Sequence, residues 1–246
     1  MRVCSFDRVV IFCSLSVEMR SNSLTAGMVR ENVLFSERFG GSAAVARAKL
    51  EELRGVLAER FPETKRIEGE VLASGIGVLD ELLGGGFPKS AVSEAVMSVP
   101  SSGGQILLAD LLRTARKESR YLALVDGSDG FDPQTMDPEL LPYLLWVRCG
   151  KVVQALRATD LLLRDGNIPM VVLDLRGNDR VEIARQPTTI WFRLQRVVEK
   201  SGAVLLILSE RTQVASAAVR VAFTRSLSLE ELEDGEVDLK VEGEKR

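Results

Sequence analysis

From Glu68 onward, short β-branched apolar runs alternate with longer stretches of helical period, and this alternation constrains the fold more than any other feature of the sequence. Strands are expected at residues 91–97, 121–125, 144–148, 170–175, 203–209 and 219–223. Helices are expected at 104–117, 151–164 and 188–200. Apolar runs without a polar alternate suit strands buried on both faces, and a helix after each strand supplies a crossover between parallel neighbours. The expected fold class is therefore α/β, a mostly parallel sheet flanked by helices. Such sheets bind ligands beyond the carboxyl ends of their strands. Chemistry is thus expected just after Met97, Val125, Asp174 and Ser209.

The 246 residues are 46% hydrophobic, enough for one sizeable core with a short arm at each end. Net charge is −3, so nothing draws the chain as a whole toward nucleic acid or an anionic membrane. Charge is uneven. Residues 227–246 hold eight acidic and three basic residues and read as a solvated acidic tail. Histidine is absent, which excludes Ser-His-Asp and Cys-His catalysis and any imidazole metal site. Cys4, Cys13 and Cys149 have no CxxC spacing and read as reduced thiols of a cytoplasmic protein.

Residues 1–41 lack a sustained period and are expected to be an irregular leader. The apolar run 9–17 behind Arg2 and Arg8 mimics a signal peptide. It is too short to cross a bilayer and no small-residue cleavage site follows it. Met19 and Met28 are alternative starts. Ser42 is placed to cap a helix over 42–62, whose Ala46, Leu50, Leu53, Leu57 and Phe61 share one face before Pro62 stops it. That face suits packing on its own domain or docking on another subunit. The core is expected over 68–226.

Residues 74–89 read SGIGVLDELLGGGFPK, with a Leu79-Asp80 pair and a glycine triplet, Gly84 to Gly86, suited to a tight reversal. The segment resembles the motif that leads into the phosphate-loop strand of the RecA/RadA/KaiC family. The resemblance implies a phosphate loop next, and the stretch there is Ser98-Val99-Pro100-Ser101-Ser102-Gly103-Gly104-Gln105. Ser101, Ser102 and Gly103 match the middle of such a loop. Ser98 stands at its first glycine, Gly104 at the lysine that reaches the β and γ phosphates, and Gln105 at the Ser/Thr that holds Mg²⁺. Matched on Asp126 and on Asp132-Pro133, the residue at the water-activating glutamate is Ser128, which offers no base at neutral pH. Asp174 ends an apolar strand as the Mg²⁺-orienting aspartate of a Walker B strand does. It reads here as a retained structural carboxylate. By this resemblance no cofactor is expected, and ATP with Mg²⁺ is bound only if the altered loop still holds it. Seven residues, Glu210 to Ser216, replace the long mobile DNA-binding loop of the recombinases. They read either as a plain connector or as a contact to phosphate or a partner through Arg211 and Gln213.

Two further stretches, AKLEELR with LAERFP in residues 46–62 and IWFRLQRVVEKSGA in 190–203, resemble the ImuA group of RecA-like proteins, sometimes labelled SulA-like. The resemblance covers about residues 42 to 226. It implies a non-catalytic accessory factor of the DNA damage (SOS) response and translesion synthesis, scaffolding an ImuB-type polymerase-like partner or RecA, with weak or indirect DNA contact and no membrane. Leu50, Leu53, Leu57, Trp191 and Arg211 are the expected partner contacts. Two other functions stay open: an active recombinase paralogue with a substitute lysine, Lys89 or Lys117 being nearest in sequence, and a cell-division inhibitor. A plain α/β domain is the remaining alternative.

Overall fold

The structure is a computed structural model that describes residues 2–6, 9–13, 70–234 and 239–245. Its strands are β1 (Arg2–Phe6), β2 (Val9–Cys13), β3 (Val71–Leu72), β4 (Phe87–Pro88), β5 (Ala91–Met97), β6 (Leu122–Asp126), β7 (Leu144–Arg148), β8 (Met170–Asp174), β9 (Val204–Ser209), β10 (Val219–Phe223) and β11 (Val241–Lys245). The helices are α1 (Gly77–Leu83), α2 (Gly104–Lys117), α3 (Val152–Asp165), α4 (Arg180–Ala184), α5 (Thr189–Ser201) and α6 (Leu229–Asp234). The large sheet has the order β1-β2-β7-β6-β8-β9-β5-β10-β11. The six strands from β7 to β10 in that order are parallel to their neighbours. Antiparallel β1 and β2 extend one edge, and antiparallel β11 closes the other. The parallel α/β sheet expected from the sequence is thus the observed one.

Strand geometry turns alternate residues to opposite faces, and the core divides along that parity. Leu122, Leu124, Val172, Leu206 and Leu208 pack with Leu107, Leu108, Leu111 and Leu112 of α2. Ala123, Val125, Val171, Leu173, Leu205 and Ile207 point the other way, against Val152, Ala155 and Leu156 of α3 and Trp191, Leu194 and Val198 of α5. Both faces are covered, which is why the strands carry few polar residues. Helices α3 and α5 end where Gly166 (φ 72°) and Gly202 (φ 74°) take the left-handed conformation that stops a helix at low cost.

The motif at 74–89 folds as its residues require. Asp80 accepts the backbone N–H groups of Ser74 (2.7 Å) and Gly75 (3.1 Å), clipping the approach to α1, and Leu79 is fully buried. Gly84, Gly85 and Gly86 all have positive φ, and a Cβ at Gly86 would strike the backbone of Leu72 and Ala73.

Both ends of the chain differ from expectation. Residues 2–13, read as irregular leader, contain β1 and β2, and the β-branched run Val9-Val10-Ile11 that mimicked a signal peptide pairs with β7. The tail expected to be solvated contributes α6 and β11, and its Leu227 and Leu239 are buried. In β11 only Val241 is apolar among charged neighbours, a pattern that suits an edge strand and hides it from a search for apolar runs. The helix expected over 42–62, with Leu50, Leu53 and Leu57, lies outside the described residues.

Candidate functional site

Parallel strands deliver their carboxyl ends to one edge. Met97, Asp126, Asp174 and Ser209 end β5, β6, β8 and β9 there, with Asp126 opposite Asp174 in the ladder. The turn from β5 into α2 holds Ser98 exposed, Ser101 at φ 54° and Gly103 at φ 97°, so the expected loop frame lies at the start of a 14-residue helix. Ser102, Gly103 and Gly104 are buried. Exposed Gln105 donates from Nε2 to Thr135 Oγ1 (2.9 Å), tying the helix start to the turn after Asp132.

The loop is contacted by two parts of the chain that sequence reasoning did not place there. The first is the segment after β10. Ser226 donates its hydroxyl to the Pro100 carbonyl (2.6 Å), and Leu227 donates its N–H to the Ser101 carbonyl (3.0 Å). The Leu239 side chain packs against Gly103, where an added Cβ would strike Leu239 Cδ2 and stand 3.8 Å from Leu227 Cδ1. The second is Arg176. Its guanidinium lies over Gly104, and a Cβ at that position would overlap the guanidinium nitrogen.

Arg176 is held by Asp174. The Arg176 backbone N–H (2.9 Å) and Nε (2.9 Å) donate to Asp174 Oδ1, and Nη2 donates to Oδ2 (2.6 Å), a bidentate pair of the strong kind. Nη1 faces Met97 Sδ at 3.4 Å. Burial works to lower the Arg176 pKa, but hydrogen bonding to Asp174 and the charges of Asp174 and Asp126 outweigh it, and the net shift is upward. Ser128 donates its hydroxyl to the Arg176 carbonyl (2.9 Å). Asp174 thus bonds the loop that follows it, through the backbone N–H and the side chain two residues on.

Asp126 is buried and organises the neighbouring loop. It accepts the N–H groups of Gly130 (3.1 Å) and Phe131 (2.9 Å) and Trp146 Nε1 (3.3 Å). Asp129 turns away and takes a bidentate bond from Arg148 (2.6 and 2.8 Å), whose guanidinium sits 4.8 Å from the Trp146 ring centroid.

Beyond Ser209 the connector is pinned from inside. Glu94 Oε1 accepts Ser209 Oγ (3.2 Å) and the N–H groups of Gln213 (2.7 Å) and Val214 (3.2 Å), while Oε2 takes Arg220 Nε (2.8 Å). Arg211 is exposed, next to Glu210, whose pKa is lowered by its bonds to Arg180 and the Gly177 N–H. Trp191 is not available to a partner. It shares the inward stripe of α5 with Leu194 and Val198 and is 5% exposed, whereas Phe192 is the exposed aromatic of that helix at 51%. Lys89 pairs with Glu70 (3.1 Å), and exposed Lys117 is the last residue of α2, at the end far from the loop. Neither stands in for a loop lysine. Among the described residues no group of acidic or cysteine side chains is placed to hold a metal, and no helix is long and apolar enough to cross a membrane.

No protein-family model matches the chain. It resembles Protein RecA of Rickettsia canadensis, 30% identical over 141 residues, which cover 53% of this chain and 39% of that protein. It also resembles Protein RecA of Gloeothece citriformis (28% over 171 residues, 63% of this chain and 48% of that protein) and of Francisella philomiragia (32% over 114 residues, 43% and 30%). The matched segments span less than half the length of these relatives. The parallel topology, the loop at the start of α2 and these matches support placing the chain in the RecA-like superfamily, with a RecA-like α/β core.

Proposed function

We propose that this chain is a RecA-like protein of DNA repair or recombination that works without binding or hydrolysing nucleotide, as an accessory scaffold. One observation carries the reading: Leu227 and Leu239, from the chain's own C-terminal segment, pack at Gly103, within the stretch that matches a phosphate loop. Nucleotide phosphates require oriented N–H groups, a cation and a metal-binding hydroxyl. Gly104 and Gln105 supply neither the cation nor the hydroxyl, Ser128 supplies no base, and the Arg176 guanidinium over Gly104 is already bonded to Asp174. The pinned 210–216 connector supports weak or indirect DNA contact in place of a mobile DNA-binding loop.

The finer assignment is to the ImuA group, with a role in translesion synthesis beside an ImuB-type polymerase-like partner or RecA. It rests on the resemblance in residues 46–62 and 190–203. With Trp191 buried, the contacts proposed for the partner are Leu50, Leu53 and Leu57, together with Arg211. Capture of an ImuB-type protein or RecA by the full chain tests this. Leu53→Asp with Leu57→Asp is expected to abolish capture and leave the melting temperature unchanged. Undiminished capture by that variant contradicts the assignment of this face.

A further inference from the structure

Two positions at which the site departs from a nucleotide-hydrolysing pattern, Gly104 and Ser128, and the retained Asp174 lie far apart in sequence, yet all three meet at one residue. Gly104, at the lysine position, lies beneath the Arg176 guanidinium. Ser128, at the glutamate position, donates its hydroxyl to the Arg176 carbonyl at 2.9 Å. Asp174, at the metal-orienting position, takes a bidentate bond from Arg176. We propose that Arg176 is the residue that closes this site: its guanidinium supplies internally the positive charge that lysine and metal would otherwise bring to Asp174, and Gly104 is glycine in order to admit it. The inference rests on the reading of the chain as one that does not use nucleotide.

Backbone conformation does not require glycine at 104. The residue opens α2 with ordinary helical geometry, and its φ is not positive. Space requires it. A Cβ there would overlap Arg176 Nη1 and stand 2.8 Å from both Arg176 Cζ and Met97 Sδ. The guanidinium is fixed by two bonds to Asp174, and its backbone is fixed by Ser128, so it cannot give way as the free end of a flexible chain would. Electrostatics point the same way. A cation at the start of a helix is disfavoured by the helix dipole, so the Arg176 charge is there for Asp174 and not for α2. Asp174 without a counter-charge would be a largely enclosed carboxylate facing buried Asp126 along the ladder. In this arrangement a lysine restored at 104 meets an occupied space.

Two experiments on the full chain test the coupling. The first is a double-mutant cycle in urea unfolding. Gly104→Ala is expected to lower the unfolding midpoint in the wild-type background. With Arg176→Ala also present, the same change is expected to lower the midpoint less or not at all, because the remaining close contact is with the flexible Met97 thioether and alanine is the better helix former. Additive effects of the two substitutions overturn the proposal. The second is titration of fluorescent ATP with Mg²⁺ into Gly104→Lys/Gln105→Thr, with and without Arg176→Ala. Binding is expected to be at least tenfold tighter in the triple variant. Equal binding with and without Arg176 overturns the role given to Arg176. Tight binding by the wild-type chain is a different failure, that of the underlying reading.

Discussion

Glu94 and Arg220 face each other in the ladder between β5 and β10, and their side chains meet at 2.8 Å with the Glu94 carboxylate fully buried. The same carboxylate takes the N–H groups of Gln213 and Val214, so one charge holds both a strand pair and the connector after β9. Removing one partner of a buried pair leaves the other charge uncompensated, at about 3 kcal/mol or more. Glu94→Ala is expected to destabilise the chain by about 3 kcal/mol in urea unfolding. It is also expected to open residues 210–216 to limited proteolysis before the rest of the fold.

Asp126 governs the loop that follows β6. It is 2% exposed and accepts three donors, two from the backbone and one from Trp146. Asp126→Ala takes this acceptor from three part-buried hydrogen bonds and is expected to cost about 2 kcal/mol. Fluorescence gives the local readout. Trp146 packs edge-on to Phe131 at 5.1 Å and is held by Asp126, so its emission is expected to shift to longer wavelength in the variant. The buried Trp191 contributes a constant background.

Cys149 is 1% exposed, and its thiol pKa is raised to about 12, first by burial and then by the negative charges of Asp126 and Asp129. A raised thiol pKa means a protonated, unreactive sulfur at pH 8. Iodoacetamide at pH 8 is expected to leave Cys149 unmodified in the native chain and to alkylate it after denaturation, as read by peptide mass spectrometry.

Glu210 bonds Arg180 at 3.1 Å and the Gly177 N–H at 3.3 Å, and its pKa is lowered, first by the Arg180 bond and then by the Gly177 bond. A carboxylate with a depressed folded pKa stabilises the fold above its unfolded value of about 4.3, and that contribution is lost as pH falls through the folded value. Both side chains are well exposed to solvent, so the pair contributes no more than about 0.5 kcal/mol. The stability gap between wild type and Glu210→Gln is expected to be small at pH 7 and to shrink as pH falls below about 4.3.

The strand and helix pattern of the core is legible because most of the parallel strands are short apolar runs and each crossover helix has a clean inward stripe. The loop frame at 98–105 was legible from its place between such a strand and helix. Arg176 was not, because an arginine two residues beyond a strand-ending aspartate has no periodicity or motif to mark it. Its partner Gly104 looks like a simple loss until the guanidinium above it is seen. Leu227 and Leu239 were hidden by the acidic residues around them, since composition over twenty residues averages away two buried leucines. Trp191 was misplaced because a tryptophan in an amphipathic helix fits either face, and the choice turns on its register with Leu194 and Val198. A lone Glu94 inside the run Ala91–Met97 demands a buried cation, and Arg220 in β10 is a candidate in the sequence.

Calorimetric titration of the full chain with ATP and ADP plus Mg²⁺ reads out whether the loop at the start of α2 uses nucleotide. A site that does not use nucleotide, as proposed, gives no binding heat and no rise in melting temperature at millimolar nucleotide. A dissociation constant near 10 μM would contradict it. At 1 mM nucleotide such affinity would also stabilise the fold by about 2.7 kcal/mol, a shift that unfolding would report.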